Sequence, residues 1–302
     1  MLIIGVAAAL IAAFSWAISA ALYKTGANDV SPLTANFIRI LAPISILAFI
    51  ALLLNLYPQV LFLSPWEWFL IIGSSLFAFV IGDALYFVAI QKLGVSRGVP
   101  ITSTYPLFVL LFQILFLAQP VHWLMIPAAL LTVSGIALLG YQLNKTAQNE
   151  ALLTRSLLWI GIFAAIGTAI SWSISTIFLS VVLQNTDLVL IAVIRLSLAL
   201  AIMSPFICGL QFVKPEKTLT RQKLIYLSIG GIFALTIGYV AFARALQLMD
   251  TTSVALLSSL TPLFAAFIGW RSLQERLDFK TLLAIIACVV GVILITFAVS
   301  LV

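Results

Sequence analysis

Charge is what this sequence most lacks. Of 302 residues, 15 are Lys or Arg and 9 are Asp or Glu, 8% together, where a soluble domain carries about 25%. A water-soluble fold of this length has too much surface to cover with so few polar groups, so lipid must be the solvent. Histidine occurs once, at His122, and cysteine twice, at Cys208 and Cys288, each inside an apolar run. Without a cluster at ligand spacing, neither a catalytic metal nor a disulfide framework follows. His122 falls at a span boundary and reads as an interfacial side chain. There is no glycine-rich phosphate loop, which excludes an ATP-driven pump, and no nucleophile has a base beside it. Arginine repeats of the voltage-sensor kind are missing too. These absences argue against an enzyme, and no cofactor is expected.

What the chain has instead is apolar length. Hydrophobic residues make up 64% of it and the mean hydropathy is +1.24. A membrane span needs about 20 such residues, and ten segments qualify: 2–23, 32–55, 67–91, 97–117, 121–141, 156–183, 188–210, 222–248, 252–271 and 279–301. The first begins at once, without the basic region and small-residue cleavage site of a signal peptide, and reads as a spanning helix. The gaps are short, hold the turn and charge signals, and leave no room for a soluble domain. The formal charge of +6 does not point to nucleic acid, because the basic residues sit in these gaps, as Arg221 and Lys223 do; there they anchor a membrane protein at anionic headgroups.

The chain also repeats itself. With a constant shift of 156 residues, Ser15-Trp16 falls on Ser171-Trp172, Arg39 on Arg195, Gly82 on Gly238, Gln91 on Gln247, Pro106 on Pro262 and Gly135 on Gly291. Leu and Ala matches arise cheaply in apolar sequence; Trp, Arg and Pro matches in register do not. Two five-helix units, 1–145 and 156–302, are therefore expected, giving an all-α polytopic membrane protein of ten transmembrane helices. Five is odd, so the second unit enters the membrane from the opposite side. Inverted repeats of this kind bind solute near the midplane, between the halves, and alternate access by rocking one on the other.

Polar groups inside the spans are the site candidates. The fourth span reads Thr102-Ser103-Thr104-Tyr105-Pro106 and the ninth Ser258-Ser259-Leu260-Thr261-Pro262. A proline inside a helix lacks an N–H and frees the carbonyl four residues back, which lipid cannot satisfy. The segments read either as hydroxyl-repaired kinks for packing or as a polar surface that meets solute, with Ser103, Tyr105, Ser259 and Thr261 as contacts and Pro106 and Pro262 as helix breaks. Asp83 and Arg39 lie at matching depth in neighbouring spans. They form either a structural ion pair or a site where Asp83 exchanges a proton during transport. In the second unit Arg195 is kept but Tyr239 replaces the aspartate, so Arg195 is the better candidate for an anionic group on a solute. Trp16 and Trp172, with Tyr86, Tyr105 and Tyr239, are placed to line an apolar-aromatic cavity or to serve as packing. Arg244 reads as snorkelling, and Glu275 as a cap or interfacial partner.

These features together resemble the EamA family of the drug/metabolite transporter superfamily over essentially the whole chain. The matching stretches are Arg39-Ile40-Leu41-Ala42, Arg195-Leu196-Ser197-Leu198, Gly238-Tyr239 with Phe242 and Ala245-Leu246, and Ser258-Ser259-Leu260-Thr261-Pro262-Leu263-Phe264 followed by Glu275-Arg276-Leu277. The chain departs from the pattern at Gln119-Pro120, where Glu-Pro is common, and at Asp83, where a neutral residue is usual. The resemblance implies secondary transport of small organic metabolites, often export of amino acids or related compounds, in a prokaryotic plasma membrane; lipid flipping, also found in the superfamily, is the alternative. Expected partners are a small-molecule substrate and membrane lipids, with no nucleic acid and a monomer or homodimer. The loop cations all fall on one side, which by the positive-inside rule puts both termini outside, against the family's usual description.

Overall fold

The computed structural model describes residues 1–117, 122–146, 155–213 and 219–265, with scattered positions from 267 to 297. Among these residues every regular element is helical. The first unit contains α1 (Leu2–Gly26), α2 (Pro32–Leu53), α3 (Pro65–Ser75), α4 (Asp83–Leu93), α5 (Val95–Thr102), α6 (Tyr105–Phe112) and α7 (Met125–Thr146); the second contains α8 (Arg155–Val182), α9 (Leu188–Val213), α10 (Arg221–Gly231), α11 (Tyr239–Leu248) and α12 (Thr251–Ser258). Among the described residues seven stretches are long and apolar enough to cross a membrane, and Met125–Leu138 and Thr251–Ala265 are shorter apolar helices. The tenth expected span, 279–301, lies mostly outside the described residues, as do Gln119, Pro120, Glu275 and Cys288.

Local sequence explains where the helices begin. A helix leaves its first N–H groups unpaired, and a short polar side chain accepts one of them. Ser31 caps α2 and Asp187 caps α9, Oγ and Oδ1 accepting backbone N–H groups of the first turn. Ser64 caps α3 in a reciprocal box with Glu67, and Thr220 caps α10. Ser31 and Asp187 stand 156 positions apart, and so do Ser64 and Thr220. The repeat keeps the cap while changing the residue that supplies it.

Four of the spans are not continuous α-helices. The third and eighth spans are not plain α-helices. Between α3 and α4 the chain makes a wide π-helical stretch, Leu76–Gly82, and between α10 and α11 another, Ile232–Gly238, again 156 apart. Such stretches displace carbonyls from the α-helical ladder, and donors on other helices take two of them: Asn36 Nδ2 reaches the Phe79 carbonyl and Trp16 Nε1 the Ala234 carbonyl. The fourth and ninth spans are broken just ahead of Pro106 and Pro262. α5 stops at Thr102 and α6 starts at Tyr105; α12 stops at Ser258 and helix resumes at 261. Pro106 and Pro262 thus open new helical segments, where a missing N–H is harmless, and the Thr261 hydroxyl donates to the freed Ser258 carbonyl at 3.1 Å.

The two units pack reciprocally. α1 lies against α10 and α11, its counterpart α8 lies against α3 and α4, and α2 lies against α9. Inside each unit one bond recurs: Gln91 donates to the Ala27 carbonyl at 3.1 Å, and its counterpart Gln247 to the Leu183 carbonyl at 3.1 Å. Contacts between the units instead cross over, as a two-fold relation produces. Gly82 lies under the Trp172 ring and Gly238 under the Trp16 ring, each too close for a Cβ.

Candidate functional site

A cavity of about 150 Å³ opens between the two units, on the order of ten waters in size. From the first unit it is lined by Trp16 of α1, Arg39 of α2, Asp83 and Tyr86 of α4, and Ser103 and Tyr105 at the α5–α6 break. From the second come Trp172 of α8, Arg195 of α9, Tyr239 of α11, and Ser259 and Thr261 at the break after α12. Every expected contact residue therefore faces one space; Pro106 and Pro262 stand behind it. The two broken helices meet at its edge, where the Tyr105 hydroxyl bonds Ser258 Oγ and donates to the Ala255 carbonyl at 3.0 Å.

The charged groups are ordered by the helices that carry them. Arg39 Nη2 pairs with Asp83 Oδ2, both side chains almost fully buried. Its other nitrogens are also engaged: Nε donates to Asn36 Oδ1 at 3.0 Å and Nη1 to the Tyr23 hydroxyl at 3.2 Å. Asn36 is one helical turn before Arg39, so sequence spacing alone sets that bond. Asp83 Oδ1 accepts from Trp172 Nε1 at 3.1 Å. Both carboxylate oxygens are thus taken, and the pair is tied across the interface between the units. The guanidinium also sits 5.2 Å from the Tyr23 ring centre and 5.3 Å from Phe87, within cation–π range.

Arg195, at the matching position, is held differently. Its Nη2 donates to the Ser74 carbonyl at 3.1 Å and to Ser175 Oγ at 2.8 Å. The guanidinium lies 4.7 Å from the Phe79 ring centre and 5.3 Å from Tyr239. Its Nε is buried with no hydrogen-bond partner, as is the Tyr239 hydroxyl. Among the described residues no carboxylate pairs with it. Ser75 Oγ donates to the Arg195 carbonyl at 2.6 Å; its counterpart Gly231 instead presses directly on the Arg39 carbonyl, with no space for a Cβ.

The aromatic wall is continuous. Tyr86 and Tyr105 lie 5.3 and 6.4 Å from Trp172, and Phe242 lies 5.3 Å from Trp16. Sequence reading missed Tyr23, Asn36, Ser175, Phe79 and Phe242. Ser175 stood in the repeated Ser-Trp-x-Ile-Ser stretch and Asn36 on the Arg39 face, so both left a signal; Tyr23 and Phe79 resemble ordinary span residues. Arg244 is exposed and bonds Gln247 Oε1 at 3.0 Å, outside the cavity. Among the described residues no group of His, Cys, Asp or Glu is arranged to hold a metal ion.

Helices of membrane length packed as two reciprocal units around a largely apolar cavity that holds a few polar and charged groups define a polytopic membrane protein of duplicated architecture. The sequence profile of the EamA-like transporter family matches residues 3–141 and again 159–297, and the chain belongs to that family. An uncharacterized transporter of Archaeoglobus fulgidus is 28% identical over 286 residues, 95% of each chain. An uncharacterized transporter of Synechocystis is 27% identical over 219 residues, 69% of this chain and 60% of that one. A solved crystal structure superposes with a TM-score of 0.76 at 16% identity, covering 98% of this chain and 96% of the other, and shares the fold.

Proposed function

We propose that this protein is a secondary carrier of a small organic metabolite, an exporter or exchanger that alternates access about the cavity between its halves. The observation that carries this reading is that one cavity is lined by residues paired at the repeat interval, Trp16 with Trp172, Arg39 with Arg195, and Ser103 with Ser259. A site built from both copies changes its exposure when one copy rocks on the other. In this reading the units are inverted five-helix repeats, 1–145 and 156–302, with ten spans in the plasma membrane of a prokaryote. The one-sided loop cations favour termini outside, which reporter fusions at residues 1 and 302 check; a cytoplasmic signal at both ends contradicts it.

Trp16, Arg39, Tyr86, Ser103, Tyr105, Trp172, Arg195, Tyr239, Ser259 and Thr261 are the proposed solute contacts. In proteoliposomes the purified protein is expected to show saturable counterflow of members of a panel of amino acids, amines and organic acids. Silence of correctly folded protein across the panel contradicts the reading. Asp83 is the proposed coupling group, because the Arg39 contact that holds it also makes its charge state felt across the cavity. Asp83→Asn should then retain exchange but lose its response to a pH gradient; an unchanged response removes that role.

A further inference from the structure

The cavity carries an imbalance of charge. Its lining holds three ionisable groups at neutral pH, Arg39, Asp83 and Arg195. Arg39 and Asp83 neutralise each other directly. Asp83 is held by Arg39 at Oδ2 and by Trp172 at Oδ1, and among the described residues no ion pair joins it to Arg195. Arg195 therefore contributes one uncompensated positive charge, 2% exposed. The Ser74 carbonyl and Ser175 hydroxyl engage one of its three nitrogens, its Nε has no hydrogen-bond partner among the described residues, and the Tyr239 ring lies beside it, 5.3 Å away. A buried cation without a counter-charge is strongly disfavoured, and the unmet Nε is a second sign of a missing acceptor.

We infer that the cavity takes an organic anion of net charge −1, its anionic group on Arg195 and the Tyr239 hydroxyl and its apolar body against the Trp172, Tyr86 and Tyr105 rings. This rests on the cavity being the carrier's solute site. A monoanion restores neutrality, whereas a neutral or zwitterionic solute leaves the excess in place and a dianion reverses it. The aromatic wall selects against a small inorganic anion, which has no surface to lay on it. Arginine suits the task because its donors match a carboxylate in a plane.

The test uses benzoate, benzamide, benzylamine and phthalate, at matched ionic strength, as probes of thermal stability of the full-length protein in detergent. A ligand that binds the folded state raises stability by mass action. Benzoate is expected to stabilise at concentrations at least tenfold below those required of the other three. Arg195→Gln should erase the preference, and Arg195→Lys, which keeps the charge, should retain benzoate over benzamide. Equal or stronger effects of benzamide, benzylamine or phthalate, silence across the four probes, or a preference that survives in Arg195→Gln would each overturn the inference. Counterflow separates this from the carrier reading: transport of neutral or cationic solutes without a benzoate effect defeats the charge inference alone, and benzoate binding without counterflow of any solute defeats the carrier reading alone.

Discussion

Arg39 and Arg195 occupy the same position in two copies of one unit, yet they are held in opposite ways. Every nitrogen of Arg39 has a protein partner, one of them a carboxylate. Arg195 engages one nitrogen and, among the described residues, pairs with no carboxylate. One substitution across the repeat, Asp83 against Tyr239, makes the difference. The backbones differ in the same sense: Ser75 reaches the Arg195 carbonyl through a hydroxyl, while Gly231 brings α10 against the Arg39 carbonyl without a side chain. Duplication thus supplies a symmetric frame, and asymmetry at a few positions divides it into a half that is locked and a half that has donors to spare.

The largest effect should come from unlocking the locked side. Removing one partner of a buried ion pair strands the other and costs about 3–5 kcal/mol. Arg39→Gln and Asp83→Ala should each lower the unfolding free energy of the purified protein by that order, while Arg195→Gln lowers it by about 1 kcal/mol, since it loses two hydrogen bonds but also removes an unpaired charge. Equal losses at the two arginines would end the comparison. Next in size is the backbone contact. Gly231→Ala forces a methyl into the Arg39 carbonyl and should cost about 3 kcal/mol by overpacking, against about 1 kcal/mol for Ser75→Ala, which gives up one hydrogen bond; chemical denaturation of the two variants checks the order. The tryptophans give a smaller contrast. Trp172→Phe loses an N–H donated to a carboxylate and should cost about 2 kcal/mol, Trp16→Phe one donated to a backbone carbonyl and about 1 kcal/mol. Smallest of all is Arg244→Ala, an exposed arginine outside the cavity, where thermal unfolding should not change measurably.

Much of this was legible in the sequence, and particular residues show why. Trp16, Arg39, Pro106 and their counterparts repeat in register, and residues so costly in lipid recur only where the architecture uses them. The missing partner of Arg195 could be read from Tyr239 standing where Asp83 should be. Pro106 and Pro262 marked helix breaks in the sequence, but proline does not fix where the chain stops, and the interruptions fall just ahead of them at 103–104 and 259–260. The π-helical stretches left no readable sign: Leu76–Gly82 and Ile232–Gly238 are apolar runs that an α-helix accommodates equally, and what holds them wide, Asn36 and Trp16, comes from other spans. Tyr23 was missed for the same reason, since its bond to Arg39 joins α1 to α2, which meet through their common packing on α10, and spacing along either helix does not show it.

As the proposed carrier works, the cavity between the two units is reached from both faces of the membrane in turn. Single cysteines at Ser103 and Ser259, one in each broken helix, test it most directly in a background where Cys208 and Cys288 are serine. Each variant, in vesicles of known orientation, is treated with a membrane-impermeant thiol reagent applied outside only or inside only. Labelling of each cysteine from either face, and protection of both by a solute that is carried, is the predicted result; labelling confined to one face whatever solute is present would contradict alternating access.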